Sequence, residues 1–404
     1  MNDTPATARR QTIGLALSGG GFRATLFHLG ALRRLNDFGL LSRIQTISSV
    51  SGGSITSGLL ASRWLSLKAD ASGRFVNFEE QVERPLREFC SRNLRNQALF
   101  FARLNPRNWW NLLQHNFSVT NLLAGEYERD LLNGATLQTL REILEQQGPR
   151  FVFCATNLAT GVNWRFEGDR VGDYLTGYAW KPDLPLGVAI AASSAYPVVF
   201  PPLVLKWEDG PWKFGPQVSG TPLSALRKKV CLTDGGVYDN LGLEPVWKRH
   251  DIVLCSDAGL PFRQNPSPRG HVLARLKRSI EIIDRQSLSL RRRWLLDSLV
   301  RGRYQGAYWG IATRIEDYPL EPKATGYGDA TLQAICEIRT DLNVFTEGEQ
   351  LVLMNHGWLL AGAAIRAYLP QCSQPDLEPP DRKLLDGSKA LEALQQGRGM
   401  CARR

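Results

Sequence analysis

The chain has 404 residues, 43% of them hydrophobic, which suits one enlarged α/β domain or two to three smaller domains. No run reaches the roughly 18 apolar residues of a membrane span, and the polar opening argues against a signal peptide. Seven cysteines without a Cys-x-x-Cys pair argue against disulfides and zinc and favour a cytoplasmic compartment, while the formal charge of +10 leaves anionic partners open.

The first predicted element is a buried strand at residues 13–17, which runs into three glycines. Glycine tolerates positive φ and lets a ligand atom approach the backbone amides closely. The helix predicted from Phe22 adds the positive end of its dipole at the same place. Gly19, Gly20 and Gly21 are therefore candidates for an anion or oxyanion site, and a tight turn that binds nothing is the alternative. Their spacing does not match the dinucleotide-binding pattern.

A second strand is predicted at residues 44–50, and Ser51 follows it on a sharp turn that opens a helix near Ser54. A serine on such a turn has its hydroxyl exposed at the carboxyl edge of the sheet, above a helix N-terminus. Ser51 is therefore the candidate nucleophile, with an N-cap serine as the alternative. Gly21 and Ser51 are 30 residues apart, which suits one right-handed β-α-β crossover. We expect both turns to face one pocket.

The alternation of strands and helices stops between residues 68 and 147. Residues 99–113 are rich in aromatic side chains, with Arg103 and Arg107 between them. We expect a largely helical insertion over the active edge of the sheet. A lid or a membrane-interface surface is one interpretation of the aromatic stretch, and packing against the sheet is the other.

The sheet is predicted to resume after this insertion. Further strands are expected at residues 150–156, 163–166, 230–233 and 251–256, a small-residue helix at 186–194 and a long helix at 348–368. The final residues, 371–404, are polar. We expect them to form a loosely attached tail with a short helix at most.

Ser51 needs a base, because a serine hydroxyl is a weak nucleophile at its own pKa. None of the five histidines has a convincing setting: His28 is expected to face away from the turn, and the others lie in charged or loop segments. Asp234 ends the strand predicted at residues 230–233 and precedes two glycines that permit close approach. In a dry pocket the pKa of Asp234 would rise, so that its carboxylate can accept the Ser51 proton. A simple turn residue is the alternative.

A basic segment lies between residues 261 and 303, with eleven Arg and Lys against three acidic residues. Its apolar residues recur at helical spacing, at Leu276, Ile280, Ile283, Leu290 and Trp294. One interpretation packs this stripe against the domain. The other is attraction of the helix to anionic lipid head groups or another polyanion. No nucleic-acid-binding signature accompanies the charge, so a nucleic acid partner is not expected.

Three motifs in this order resemble the patatin-like phospholipases and the related cytosolic phospholipase A2 catalytic domains. They are Ser18-Gly19-Gly20-Gly21-Phe22-Arg23, the turn at Ser51 and Asp234-Gly235-Gly236. Residues 192–202 also look like a segment of that family. The resemblance covers roughly residues 11–260 and implies a three-layer α/β/α fold with a mostly parallel central sheet. We expect one hydrolase domain at residues 11–370, including the insertion.

The resemblance implies a phospholipase A-type lipid acyl hydrolase that uses a Ser-Asp dyad and neither metal nor another cofactor. Ser51 would attack the ester carbonyl, and Asp234 would take its proton and later activate water. The amides of residues 19–21 would hold the oxyanion. Arg23 would support that loop or bind the lipid phosphate. The expected partner is a phospholipid or a membrane surface, which places the protein in the cytoplasm or on the membrane periphery.

The family pattern around the nucleophile is Gly-x-Ser-x-Gly, and this chain has Ser49 at the first position. Serine is small enough for a crowded turn, but Ser49 and Ser54 have to be excluded as the nucleophile. Two other functions stay open. One is an effector phospholipase gated by a nucleotide or polyanion, and the other is an esterase or thioesterase for soluble acyl substrates. The sequence leaves a small-molecule activator and the oligomeric state open.

Overall fold

A sheet of eleven strands organises the part of the chain that the computed structural model describes. The described residues are 11–94, 118–197, 199–207, 212–213, 222–260, 262, 264–267, 270–375 and 377–402. The strands are β1 (Ile13–Leu17), β2 (Thr46–Ser49), β3 (Arg150–Asn157), β4 (Asn163–Phe166), β5 (Arg170–Asp173), β6 (Gly177–Trp180), β7 (Leu203–Leu205), β8 (Trp212–Lys213), β9 (Val230–Asp234), β10 (Ile252–Asp257) and β11 (Gln305–Gly310). Their order is β11-β10-β1-β2-β3-β4-β5-β6-β8, with β9 beside β3 and β7 beside β9.

The core of the sheet is parallel, from β11 through β10, β1 and β2 to β3. Antiparallel strands extend it from β4 to β8. The helices are α1 (Gly21–Asp37), α2 (Gly52–Arg63), α3 (Arg84–Cys90), α4 (Val119–Tyr127), α5 (Leu137–Glu145), α6 (Leu186–Ser193), α7 (Leu223–Lys228), α8 (Gly236–Asp239), α9 (Glu244–Trp247), α10 (Val272–Val300), α11 (Asp329–Cys336), α12 (Glu347–Tyr368) and α13 (Gly387–Ala402). This mixed α/β fold with a mostly parallel core confirms the predicted fold class.

The alternation of side chains along β1 explains why helices cover both faces of the sheet. Leu15 and Leu17 join the larger apolar core together with residues of α1, α2 and α12. Ala16, between them, joins a smaller core that includes Leu288 and Leu295 of α10. Since successive side chains of a strand point to opposite faces, a wholly apolar strand has to be buried on both sides.

The geometry around β3 brings two distant segments together. β2 runs parallel to β3 and ends with Ser49 opposite Phe153. β9 runs antiparallel to β3 on the same side and ends with Asp234 opposite Ala155. The carboxyl ends of β2 and β9 therefore point towards each other. The sequence predicted both strands but not the reversed direction of β9.

The described parts of the insertion are helical, with α3, α4 and α5 as its main elements, whereas residues 99–113 lie outside the described residues. The loosely attached tail is a wrong prediction. α13 is 16 residues long, and Ala390 and Leu394 are buried. Asp381 further anchors this region through two hydrogen bonds with the side chain of Asn355, at 2.7 and 2.9 Å.

The basic helix α10 forms as predicted, but its packing differs from the first interpretation. Leu288 and Leu295 face the sheet, and Trp294 of the predicted stripe packs against the same core, whereas Leu276, Ile283 and Leu290 of that stripe are exposed. None of the helices in the described ranges is both long enough and apolar enough to cross a membrane.

Helices α1 and α12 cross at glycines. A methyl group on Gly30 of α1 would overlap the carbonyl oxygen of Met354, and one on Gly357 of α12 would overlap that of Phe27. The two backbones therefore approach more closely than any larger residue allows. We predict that Gly30→Ala lowers the free energy of unfolding by about 1 to 3 kcal/mol, because the helices must separate.

Urea denaturation measures this effect, and Gly125→Ala is the matched control. Gly125 lies in α4, and nothing lies within 4 Å of the position that a methyl group would take there, so alanine should be neutral or slightly stabilising. Equal midpoints for Gly30→Ala and the wild type would contradict the close helix crossing.

Candidate active site

Ser51 occupies the turn between β2 and α2 in a backbone conformation that few residues other than glycine adopt. Its φ is 49° and its ψ is −118°. Although it stands at the N-cap of α2, its side chain does not cap the helix. The side chain lies near the carboxyl of Asp234 instead, where it lowers the pKa of that group. Such backbone strain is typical of a nucleophile on a strand-to-helix turn and not of an N-cap serine.

Ser193, at the end of α6, holds this turn in place. The Ser51 amide donates a hydrogen bond to Ser193 Oγ at 3.0 Å. Ser193 Oγ in turn donates to the carbonyl of Cys154 in β3 at 2.7 Å. The strained backbone is therefore attached to the central sheet. Ser193 lies in the segment of residues 192–202 that resembles the family. The sequence did not predict its contact with Ser51, because the two residues are far apart along the chain.

The two predicted turns are in direct contact. A methyl group on Gly19 would lie 3.1 Å from Ser51 Cβ, and one on Gly52 would overlap the carbonyl oxygen of Gly21. On Gly53 it would lie 2.6 Å from the carbonyl oxygen of Leu17. The glycines are thus required by backbone crowding, and the first two glycine motifs face one site as expected.

Asp234 is buried at the end of β9, and its backbone is fixed on both sides. Its amide donates to the carbonyl of Ala195 at 3.0 Å, and its carbonyl accepts from Thr156 Oγ1 at 2.8 Å. The carboxylate accepts a hydrogen bond from the Gly236 amide at 2.7 Å. Burial raises the pKa of Asp234 to about 7, although the hydrogen bond from Gly236 and the nearby Ser51 side chain oppose the shift. A carboxylate with this pKa is suited to accept a proton near neutral pH.

The prediction that the Gly19 amide binds an oxyanion is wrong. This N–H donates to the carbonyl of Asn240 at 3.0 Å and is therefore not available to an oxyanion. Gly20 and Gly21 have positive φ values of 145° and 57°, a conformation that glycine adopts without strain. Within the described ranges, neither amide donates a hydrogen bond, and the same holds for the Gly52 amide. These three amides lie at the N-termini of α1 and α2, where the helix dipoles favour negative charge. Sequence reasoning missed Gly52, although the residue after a nucleophile commonly supplies such a donor and Gly52 follows the candidate Ser51.

Arg23 lies behind the glycine loop and is buried. Its guanidinium donates to the carbonyls of Ile338 and Ala258, each at 3.0 Å. Of the two predicted roles, support of the loop fits this setting, whereas a lipid phosphate would have to reach a side chain that is closed off from solvent.

His28 differs from its predicted orientation because it faces the end of β1. One ring nitrogen lies 2.9 Å from the carbonyl oxygen of Ser18, and the other lies 2.7 Å from Ser256 Oγ. Burial lowers the pKa of His28 to about 4, so the ring stays neutral. It supports the loop from below. In the described part of the chain, no histidine is hydrogen-bonded to the Ser51 side chain.

The neighbouring serines form an internal network. Ser49 Oγ accepts hydrogen bonds from Ser54 at 3.1 Å and from Ser57 at 2.7 Å, and Ser54 also contacts Ser193 Oγ at 2.8 Å. Ser49 and Ser54 have no solvent exposure. Their hydroxyls are engaged below the turn, which leaves Ser51 as the serine that faces the carboxylate.

Asn240 is a further residue that sequence reasoning missed. A methyl group on Gly236 would lie 2.7 Å from Asn240 Oδ1, and one on Gly19 would overlap the same atom. The side chain therefore lies between the first and third glycine motifs. Among the described residues there is no group of three or more His, Cys, Asp or Glu side chains arranged to hold a metal ion.

Comparisons with known proteins concern the family and the fold of the chain. A family model described as Patatin-like phospholipase matches residues 15–247, more than half of the chain. A comparison with curated proteins found no match. Human GIVD cytosolic phospholipase A2 is similar in structure, with 14% identity and a TM-score of 0.45 over 96% of this chain and 62% of that one. VipD from Legionella pneumophila has 16% identity and a TM-score of 0.40 over 97% of this chain and 75% of its own. The chain thus spans less than two thirds of the phospholipase A2 structure.

We predict that Ser193→Ala lowers kcat about 10- to 100-fold with little change in KM, because the Ser51 turn loses the hydroxyl that fixes it. Steady-state hydrolysis of a soluble ester measures both constants. Ser194→Ala is the matched control, since that hydroxyl is bonded to the carbonyl of Ile190 and not to the turn. A Ser193→Ala variant with wild-type kcat would show that the turn is held without this contact.

Proposed function

The chain belongs to the patatin-like phospholipase family, and from this premise we propose that it is a lipid acyl hydrolase that cleaves phospholipid esters with a Ser-Asp dyad. Membership of the family implies a hydrolase. The observation that supports the dyad is the meeting of the ends of β2 and β9 on one side of β3, which brings the Ser51 side chain near enough to the buried carboxyl of Asp234 to lower its pKa. Phospholipid as the substrate follows from the family.

In the proposed reaction the Ser51 oxygen attacks the ester carbonyl carbon while Asp234 accepts its proton. The negative charge that develops on the carbonyl oxygen would be held by the amides of Gly20, Gly21 and Gly52. Asp234 then returns the proton to the departing lysophospholipid alcohol, which leaves an acyl group on Ser51. Asp234 takes a proton from water, the resulting hydroxide attacks the acyl group, and the fatty acid is released as Ser51 regains its proton.

The environment of Asp234 explains how a carboxylate can replace the usual histidine base. With an ordinary carboxyl pKa near 4, the carboxylate would be a poor acceptor for a hydroxyl proton. Burial brings the pKa to about 7, which strengthens the base while leaving much of it ionised at neutral pH. The positive ends of two helices at the glycine amides stabilise the opposite side of the reaction centre.

We predict that Ser51→Ala and Asp234→Asn each lower fatty-acid release from phospholipids by about a thousandfold or more, because each variant lacks one partner of the proton transfer. The measurement is fatty-acid release from a phospholipid panel, and a fluorophosphonate probe should label Ser51 in the wild type. Asp70→Asn, on an exposed turn, is the control. Unchanged rates in both dyad variants, or labelling at Ser49 or Ser54, would remove the proposed dyad.

The same panel separates the alternative functions. An esterase or thioesterase for soluble acyl substrates would turn over short-chain esters and thioesters but not phospholipid vesicles. An effector phospholipase gated by a nucleotide or polyanion would release little fatty acid until that ligand is added.

The raised pKa of Asp234 also predicts a pH profile. The ionised carboxylate is the active base, so it is lost as the pH falls through about 7. The ratio kcat/KM should therefore fall about tenfold per pH unit below that value and level off above it. Hydrolysis of a soluble ester between acidic and mildly alkaline pH tests this. A profile that stays level down to about pH 5 would contradict the buried base.

A further inference from the structure

The outer side of α10 presents a row of apolar side chains to solvent. Val272, Leu276, Ile283 and Leu290 are 69%, 56%, 69% and 59% exposed, respectively. Their spacing of four, seven and seven residues places them on one side of the helix, over about 27 Å. We call these four residues the outer stripe. An apolar surface of this extent is typical of a protein or membrane contact.

The opposite side of α10 holds the helix to the body of the protein. Leu288 and Leu295 are buried in the core of that face. Arg292 donates two hydrogen bonds to the buried carboxylate of Asp257, at 2.9 and 2.6 Å. Arg291 donates to the carbonyl of Tyr238 in α8, the short helix after β9, at 2.9 Å. The arginine cluster is therefore partly used inside the protein, and the outer stripe is presented in a fixed orientation.

The middle of α10 lies beside the proposed dyad. The charge of Asp284 adds to the upward shift of the pKa of Asp234 and of Tyr196, after the larger contribution of burial in each case. Tyr196, Val199 and Val237 are also exposed. Tyr196 follows Ala195, whose carbonyl accepts from the Asp234 amide, and Val237 lies three residues after Asp234. We call Tyr196 and Val237 the rim near Asp234.

Basic side chains flank the outer stripe. Arg275 and Arg293 are both exposed, and their separation of 18 residues places them on the same flank of the helix. The segment of residues 261–303 carries eleven basic and three acidic residues. An apolar helix face bordered by cations is complementary to the boundary between anionic head groups and acyl chains. A neutral protein surface would not be attracted to these basic side chains.

We propose that the outer stripe docks on the surface of an anionic lipid bilayer, with α10 lying in the interface plane and the rim near Asp234 turned towards the lipid. This inference rests on the proposed function, because docking would bring the site to its phospholipid substrate. Binding to vesicles does not itself require catalysis. Because the inner side of α10 is bonded to α8, which follows Asp234, and to the end of β10, docking fixes the orientation of the site relative to the lipid.

The test is co-sedimentation of the full chain with phosphatidylcholine vesicles, with and without phosphatidylglycerol. Binding is measured in the Ser51→Ala background, so that no lipid is consumed. Leu276→Gln combined with Ile283→Gln should weaken binding by about tenfold or more, because two apolar contacts are lost. Arg275→Gln should weaken binding to the anionic vesicles alone.

Val300→Gln is the matched control. Val300 is 87% exposed in the same helix, but ten residues from Leu290, which turns it away from the outer stripe. It should bind vesicles as the parent chain does. With Ser51 present, the double variant should lose fatty-acid release from vesicles while keeping its turnover of a soluble ester.

Undiminished vesicle binding by the double variant would overturn the proposal, and so would an equal loss in Val300→Gln. A change from oligomer to monomer in sedimentation, with vesicle binding intact, would show that the outer stripe is a contact between copies of the chain. Absence of hydrolysis with normal, stripe-dependent vesicle binding would instead remove the proposed phospholipase function and leave the docking surface standing.

Discussion

The meeting of two strand ends on one side of β3 is the constraint on which the proposed chemistry depends. β2 and β9 run towards each other, and their last residues stand opposite Phe153 and Ala155. Ser51 can therefore reach Asp234 although most of the fold separates them in sequence. The arrangement is destabilising in itself, since Ser51 has a strained backbone and Asp234 is a buried carboxylate. Contacts from β3 and α6 hold both residues in place, a pattern typical of functional sites.

Backbone crowding governs the other half of the site. The carbonyl of Gly21 occupies the space in which a side chain on Gly52 would lie, so the loops that supply the candidate oxyanion amides pack directly on the nucleophile turn. This crowding also explains how Ser49 is tolerated where the family pattern has glycine. Its hydroxyl accepts hydrogen bonds from Ser54 and Ser57 below the turn, so the additional polar atom is satisfied when buried.

Local patterns predicted the first β-α-β unit and the helices α6 and α12, because their periodicity and turn residues depend on near neighbours. The direction of β9 was not predictable, since a short apolar strand has no intrinsic polarity and its pairing is decided across the sheet. The loss of the Gly19 amide to Asn240 is likewise a long-range backbone contact. For His28, a small error in helical phase was enough to turn the ring from the end of β1 to the opposite side.

The case of α10 shows a deeper limit of sequence patterns. Periodicity predicted one apolar stripe that faces the core, but only its last residue, Trp294, packs there, whereas Leu276, Ile283 and Leu290 are exposed. Leu288 and Leu295 pack the inner side of the helix against the core. On the same side, Arg292 forms a hydrogen-bonded ion pair with Asp257. Trp294 and Leu299 also pack against this core, whereas Val272, Leu276, Ile283 and Leu290 remain on the outer side. α10 thus carries apolar residues on its outer side as well as on its inner side, and a lipid interface is an environment in which an apolar outer side is favourable.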